Sequence, residues 1–214
     1  MTKPADNAPG IDKKAHWEQV YSEKNPTEVS WYQQHPERSL ELIRATGVDL
    51  AAACIDIGGG ASTLVDTLLD AGYCNITVLD IAHAAIEQAK TRLAERANAV
   101  TWIEQDIIQF SVEALFEVWH DRAVFHFLTD QLDRSSYVHA MTRALKPGAH
   151  AIIASFALDG PEKCSGLEVM RYSPESLSAV LGDSFELVET RTESHLTPNA
   201  STQSFVYCRF KKCF

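Results

Sequence analysis

The sequence predicts an α/β fold: a doubly wound, mostly parallel sheet of seven strands, with helices on both faces and an antiparallel hairpin at the C-terminal end. Three observations indicate this fold. An apolar strand runs into Gly58-Gly59-Gly60, which helical spacing follows. Strand-like and helix-like segments alternate to residue 156. The last two apolar runs are joined only by residues 196–203, a connection too short for a crossover helix.

The elements are expected in the following order. Two N-terminal helices come first, at 13–23 and 36–46, and Gly47 ends the second. Strands are expected at 52–57, 75–80, 100–104, 115–120, 149–156, 185–195 and 204–210. Further helices are expected at 61–71, 83–96, 133–145 and 174–181.

The length and composition favour one globular domain, because 214 residues with 45% hydrophobic content can bury a full core. Within it we expect a disordered N-terminus at 1–12, a helical cap or lid at 13–50, and the main domain at 51–214. No apolar run reaches the roughly 18 residues that span a bilayer, and the start shows no hydrophobic signal region. We therefore expect a soluble cytoplasmic protein without a membrane partner, as a monomer or weak homodimer.

Charge and cysteine content exclude further classes. The net charge of −10, without a long basic stripe, argues against a nucleic-acid partner. The five cysteines are dispersed and lack C-x-x-C spacing. They are expected to be free thiols in a reducing compartment, with no metal site.

The glycine loop leaves two cofactors open by spacing alone. Thr63 stands where a dinucleotide fingerprint would have its third glycine. Asp56 precedes the glycines in the pattern D-x-G-G-G-x-S, which resembles motif I of the class I S-adenosylmethionine-dependent methyltransferases. Two later predicted strands also end in or are followed by acids, Asp80 and Asp106, and the three acids are 24 and 26 residues apart. Each interval matches about one strand-helix unit.

The resemblance implies a Rossmann-like fold and S-adenosylmethionine as cofactor. Asp80, followed by Ile81, would accept both ribose hydroxyls. Asp106 would accept the adenine amine, while the Ile107 N–H pairs with a ring nitrogen. Asp56 would orient the loop of Gly58, Gly59 and Gly60 and the methionine ammonium. Alternatively, acids at strand ends are solvated or cap the next helix.

The acceptor side is expected after the fourth strand. Asp121 falls where the resemblance places a group near the transferred methyl. Arg122 either pairs with Asp121 or clamps a substrate carboxylate. His126 is a base or substrate ligand, or else a packed core histidine. The segment also resembles the D-K-G-T segment of some small lysine methyltransferases, but Arg122 and Ala123 depart from it.

A further group of side chains is assigned to the substrate wall or lid: Trp31, Tyr32, Cys164, Arg171, Tyr172 and His195. Trp31 and Tyr32 lie in a segment that folds over the cofactor in similar enzymes, although simple anchoring of the N-terminal helices is the alternative. Cys164 is interpreted as a small buried hydrophobe within this wall.

The sequence thus favours a methyltransferase that moves a methyl group to a small molecule by in-line displacement, mainly through positioning. A protein-lysine methyltransferase is the first alternative. A nicotinamide-dependent oxidoreductase is disfavoured by Thr63 and the terminal hairpin, and a non-catalytic scaffold by the complete set of loop and strand-end acids. The acceptor atom, whether O, N, S or a metalloid, is left open.

Overall fold

A computed structural model describes residues 12–113 and 115–214 of the chain. Residues 1–11, which include most of the terminus expected to be disordered, lie outside the described residues. The helices are α1 (Lys13–Glu23), α2 (Glu37–Arg44), α3 (Leu64–Asp70), α4 (His83–Leu93), α5 (Gln131–Ala144) and α6 (Pro174–Leu181). The strands are β1 (Cys54–Ile57), β2 (Ile76–Asp80), β3 (Val100–Glu104), β4 (Phe116–Arg122), β5 (Leu145–Phe156), β6 (Lys163–Cys164), β7 (Leu167–Glu168), β8 (Phe185–Leu196) and β9 (Thr202–Lys212).

The main sheet has seven strands in the order β3-β2-β1-β4-β5-β9-β8. The first five pair in parallel, and β9 runs antiparallel to both β5 and β8. This confirms the predicted doubly wound sheet with its terminal hairpin. The chain leaves β1 in one direction towards β3 and returns to β4 on the other side, so the order reverses between β1 and β4.

Two apolar layers cover the sheet. One contains side chains of α5 and α6, such as Tyr137, Met141 and Leu177, packed on Trp119 of β4. The other contains side chains of α2, α3 and α4, including Leu42, Val65 and Leu93. The buried strands alternate between the two layers because successive side chains of a strand point to opposite faces.

Some boundaries differ from the prediction. Helix α3 begins only at Leu64, because residues 61–63 complete the glycine loop. Strand β4 extends to Arg122, so Asp121 and Arg122 belong to the strand. The short β6–β7 hairpin was missed. Its two turn residues, Ser165 and Gly166, both have positive φ (50° and 79°), as a tight two-residue turn requires.

No helix in the described part of the chain combines the length and apolar character needed to cross a membrane.

Candidate functional site

Two adjacent cavities lie at the carboxyl ends of β1, β2 and β4, where the strand order reverses. The first cavity extends from the ends of β2 and β3 to helix α1, and the second lies between the glycine loop and residues 26–39. They share five lining residues: Tyr21, Trp31, Ile57, Gly58 and Arg122. Open α/β sheets bind ligands at this position.

The glycine loop is packed so tightly that side chains have no space. Gly58 has φ +64°, in the left-handed region, and a Cβ there would overlap the Val124 side chain. A Cβ on Gly59 would overlap the Asp56 carboxylate, and one on Gly60 would overlap Ala85 and Asp80. The loop backbone therefore lies directly against both the strand-end acids and the cavities.

Asp80 is buried at the end of β2 and lines the first cavity. Its Oδ2 accepts the Gly60 N–H at 3.0 Å, and its Oδ1 accepts the Ala82 N–H at 2.8 Å. Burial raises the pKa of Asp80 to about 6. Each carboxylate oxygen keeps a second lone pair, so the side chain can still accept ligand hydroxyls.

Asp106 and the two isoleucines lie around the same cavity. Asp106 caps a short 3-10 turn by accepting the Ile108 N–H at 3.2 Å through Oδ1. Ile81 and Ile107 also line the first cavity, with Leu128 completing an apolar wall. A flat, apolar ring with a polar edge fits this combination of apolar walls and one partly exposed carboxylate.

Asp56 belongs to a buried chain of polar groups that sequence reasoning missed. Its Oδ1 lies 2.7 Å from Nδ1 of His120, and His120 Nε2 lies 2.8 Å from the Ser39 hydroxyl oxygen. All three side chains line the second cavity. Asp56 Oδ2 is buried without a hydrogen-bond partner among the described residues. Strand pairing brings Asp56 and His120 together because they are register partners in β1 and β4.

Arg122 lines both cavities, and its side chain is only 10% exposed. Nε donates to the Tyr207 hydroxyl at 2.8 Å, and Nη1 donates to the Trp31 carbonyl at 2.9 Å. Nη2 lies 3.7 Å from Glu193 Oε2, beyond hydrogen-bond reach. The guanidinium also stacks over the Phe205 ring at 4.5 Å.

Side chains of three elements form hydrogen bonds with backbone carbonyls of residues 30–33. His195 Nε2 lies 2.8 Å from the Ser30 carbonyl oxygen, and Arg122 holds the Trp31 carbonyl. The Thr63 hydroxyl donates to the Gln33 carbonyl at 2.7 Å. Tyr32 lines the second cavity. We call residues 29–39 the strap, because they cross the second cavity and are bound to β4, β8 and the start of α3.

An aromatic cluster closes the first cavity on the side of α1. Trp17 makes edge-on contacts with Trp31 (5.7 Å between centroids) and Phe127 (5.0 Å), and Tyr21 contacts Trp31 at 6.2 Å. The four rings all line this cavity. The i, i+4 spacing of Trp17 and Tyr21 within a predicted helix was the available signal for this wall.

The structure does not bring Asp121 and His126 to either cavity, which corrects their expected placement. Asp121 is fully buried on the opposite face of β4, where it accepts the Tyr137 hydroxyl at 2.6 Å and the Val124 N–H at 2.9 Å. His126 is fully buried against Phe127 and Phe156, and neither ring nitrogen has a hydrogen-bond partner in the described part of the chain. Burial lowers the pKa of His126 to about 3.

The remaining predicted wall residues separate into two groups. Cys164 is buried and lines the first cavity, and burial raises the pKa of its thiol to about 12. His195 holds the strap. Arg171 lies outside both cavities, where it bonds the Gly160 carbonyl and Glu162. Tyr172 packs on Phe125 in the core, so neither Arg171 nor Tyr172 belongs to the cleft wall.

The residues present fit S-adenosylmethionine. The first cavity offers apolar walls and the carboxylates Asp80 and Asp106 for an adenosine. The second offers the unpartnered Asp56 Oδ2 beside a glycine loop, as an acceptor for an ammonium group. Among residues 12–113 and 115–214, no group of three or more His, Cys, Asp and Glu side chains is arranged to hold a metal ion.

Comparisons with known proteins agree with this geometry. Residues 55–151 match the family model described as a methyltransferase domain. Nodulation protein S of Rhizobium tropici is 30% identical over 105 residues, which are 49% of this chain and 43% of that protein. EEF1A lysine methyltransferase 2 of Danio rerio is 26% identical over 170 residues, covering 72% of this chain and 73% of that protein. The chain thus matches less than half the length of its rhizobial relative.

Solved structures show the same fold. The N-methyltransferase NodS of Bradyrhizobium japonicum WM9, in complex with S-adenosyl-L-homocysteine, superposes with a TM-score of 0.70 at 22% identity, covering 93% of this chain and 97% of that one. Its bound ligand is the demethylated form of the cofactor that the two cavities fit. The glycine loop, the strand order and the match over residues 55–151 identify this region as a methyltransferase domain with the class I fold, and the residues of the two cavities fit S-adenosylmethionine as its cofactor.

Proposed function

We propose that the chain transfers a methyl group from S-adenosylmethionine to a small-molecule acceptor. The observation that carries this proposal is the enclosure of the cleft: the strap covers the second cavity, and the aromatic cluster closes the first. The part of the first cavity lined by the aromatic cluster, Cys164 and Arg122 carries no group assigned to the cofactor, and such walls suit a small, partly apolar acceptor.

We assign the cofactor-binding residues from the lining of the two cavities. Asp80 accepts from the ribose, Asp106 from the adenine amine, and the Ile107 N–H pairs with a ring nitrogen, while Ile81 supplies an apolar contact. In the second cavity, Gly58, Gly59 and Gly60 bring backbone close to the methionine part, and Asp56 accepts from its ammonium. The free lone pairs of Asp80 and the unpartnered Asp56 Oδ2 support these assignments.

Catalysis in this arrangement rests on positioning. The sulfonium of the cofactor supplies an already activated methyl group, so the protein has to align the acceptor and exclude water. Arg122 is placed for the first task because it lies where the two cavities meet. Trp31, Tyr32 and Cys164 exclude water as part of the walls. Asp121 and His126 lie outside both cavities, and we assign them no catalytic role.

A protein-lysine acceptor is the second candidate. One observation favours it: relatives named as eEF1A lysine methyltransferases match this chain. The segment after the fourth strand counts against it, because Arg122 and Ala123 depart from the D-K-G-T pattern of some small lysine methyltransferases. We place the protein in the cytoplasm, as a monomer or weak homodimer, with no nucleic-acid partner because of its net charge of −10.

A methyl-transfer screen with isotopically labelled cofactor tests the proposal. Thiols, carboxylates, amines and protein extract are offered in parallel, and products are separated by mass. Label in a low-molecular-weight product supports the small-molecule acceptor. Label only in protein would favour the lysine alternative, and no label in any arm, despite measurable cofactor binding, would overturn the proposal of activity.

A further inference from the structure

Three buried polar side chains at the site, Ser39, His120 and Asp56, form a hydrogen-bonded relay. The relative exposures of the three residues are 1%, 4% and 4%, so water does not compete for their hydrogen bonds. The distances of 2.8 and 2.7 Å are those of good hydrogen bonds. The relay joins three separate elements: helix α2, strand β4 and strand β1.

The hydrogen-bond roles follow from the acid at one end. A carboxylate only accepts, so His120 Nδ1 carries the hydrogen that Asp56 Oδ1 receives. In the neutral ring, Nε2 is then the acceptor, and the Ser39 hydroxyl donates to it. The relay thus uses one oxygen of Asp56 and fixes the plane of its carboxylate. Oδ2 lies against Gly59 and has no hydrogen-bond partner within residues 12–113 and 115–214.

We infer that His120 is a positioning residue for the amino-acid end of the cofactor, acting through Asp56 and coupled by Ser39 to the strap. This inference rests on the proposed function. With its plane fixed, Asp56 presents Oδ2 to the cofactor ammonium without an ordering step at binding. Ser39 belongs to the strap, so seating the strap completes the relay from its far end.

Binding calorimetry on the whole chain tests the inference with two ligands. S-adenosylhomocysteine carries the amino-acid end, whereas 5′-methylthioadenosine lacks it and should occupy the first cavity only. The variants separate the two ends of the relay. In His120→Asn the amide nitrogen can replace Nδ1 and keep the bond to Asp56. In His120→Gln only the contact with Ser39 can persist. Ser39→Ala removes the hydroxyl at the other end of the relay.

We expect His120→Gln to weaken S-adenosylhomocysteine binding about 10- to 100-fold, because Asp56 loses its hydrogen-bond partner. His120→Asn should retain most of the wild-type affinity, because its amide nitrogen keeps that bond. Ser39→Ala should weaken it about three- to tenfold. Binding of 5′-methylthioadenosine should change less than threefold throughout. Ser155→Ala and His126→Leu are matched controls, since both residues are fully buried and lie outside both cavities.

Three results would overturn the inference: equal losses for both ligands, which indicate a structural role only; unchanged binding of S-adenosylhomocysteine in every variant; or no rescue by His120→Asn relative to His120→Gln. If the His120 variants do not fold, as judged by circular dichroism, the Ser39→Ala comparison of the two ligands decides alone. Failure of the proposed function has a different signature, because the wild-type chain would then bind S-adenosylhomocysteine but methylate no acceptor.

Discussion

The Thr63 hydroxyl donates to the Gln33 carbonyl over 2.7 Å and so ties the start of α3 to the strap. Thr63 is the residue that replaces the third glycine of a dinucleotide fingerprint. A glycine would supply no hydroxyl at this position. The threonine that argues against a dinucleotide cofactor therefore also holds the strap over the second cavity.

The strap should gain protection from hydrogen exchange when cofactor binds. Thr63→Val keeps the side-chain volume but removes the donor, so amides near residues 30–35 should exchange faster in the variant. Hydrogen exchange followed by mass spectrometry, with and without S-adenosylhomocysteine, measures both effects. Thr67→Val is the control, since the Thr67 hydroxyl donates to the Thr63 carbonyl at 3.0 Å and bonds no strap residue among those that the structure describes. Equal exchange in all samples would show that Trp31 and Tyr32 are merely anchors.

Asp80→Ala should weaken S-adenosylhomocysteine binding by about 2 to 4 kcal/mol, or roughly 30- to 700-fold, because it removes a charged acceptor from a buried site. Calorimetry measures this loss. Glu104→Ala is the matched control: Glu104 is the register partner of Asp80 in β3 but bonds Lys14 and His83 at the surface. A loss of the same size in both variants would argue against a ribose contact.

Cofactor affinity and protein stability should respond to Asp80 with opposite signs of pH dependence. Burial raises its pKa to about 6 from 3.8, so the folded chain binds a proton that the unfolded chain releases. This contribution to stability is complete below about pH 3.8 and is lost as pH rises through 6. Cofactor affinity should instead fall below pH 6, because a protonated Asp80 accepts less well. Calorimetry across pH 5 to 8 would show this, and Asp80→Asn should abolish the slope. A wild-type profile that stays flat would contradict the role.

Arg122→Gln should lower turnover of the acceptor found in the screen by about ten- to a thousandfold, while affinity for S-adenosylhomocysteine changes less than about threefold. Steady-state kinetics and calorimetry give the two values. Tyr207 bonds Arg122, so the effects of Tyr207→Phe and Arg122→Gln on turnover should not add. The double variant should lose less turnover than the two single losses combined. Arg171→Ala, outside both cavities, should leave turnover unchanged. A parallel loss of cofactor affinity would place Arg122 in the cofactor site.

His126→Leu should raise the free energy of unfolding by about 1 to 3 kcal/mol, because it removes two buried nitrogens that have no hydrogen-bond partner among the described residues. The pKa of His126 is lowered to about 3 from 6.5, so the unfolded chain takes up a proton first and stability falls between pH 6.5 and 3. The variant should lose this part of the acid sensitivity. Urea unfolding at pH 7 and pH 5 measures both effects, and reduced turnover with unchanged stability would restore a catalytic role.

The sheet and its three strand-end acids were predictable because their signals are local. Each of Asp56, Asp80 and Asp106 ends or follows an apolar run of strand length, and parallel strands carry such ends to one edge. The parallel pairing of the first five strands followed from the alternation of strands and helices. The glycine loop was predictable because three consecutive glycines indicate a backbone with positive φ or a close approach to other atoms. Gly58 has such a positive φ.

The acceptor side was less predictable because its residues meet only in the folded chain. Strand periodicity alone would have separated His120 and Arg122 from Asp121, since alternate residues share a face. That argument required knowing that β4 continues to Arg122. Tyr207, Glu193 and Ser39 come from distant parts of the chain and reach the site only through the hairpin and helix α2. Nothing in their local sequence marks them.

The strap has a consequence for the sequence of binding events. Residues 29–39 cross the cavity that fits the methionine part, whereas the aromatic walls lie over the other cavity. We expect the release of a cofactor seated in this way to require movement of the strap. We therefore expect a compulsory order in which cofactor enters first and its demethylated form departs last. Product-inhibition patterns would show that S-adenosylhomocysteine inhibits competitively against the cofactor but not against the acceptor. The opening of the strap would then limit the rate of steady turnover.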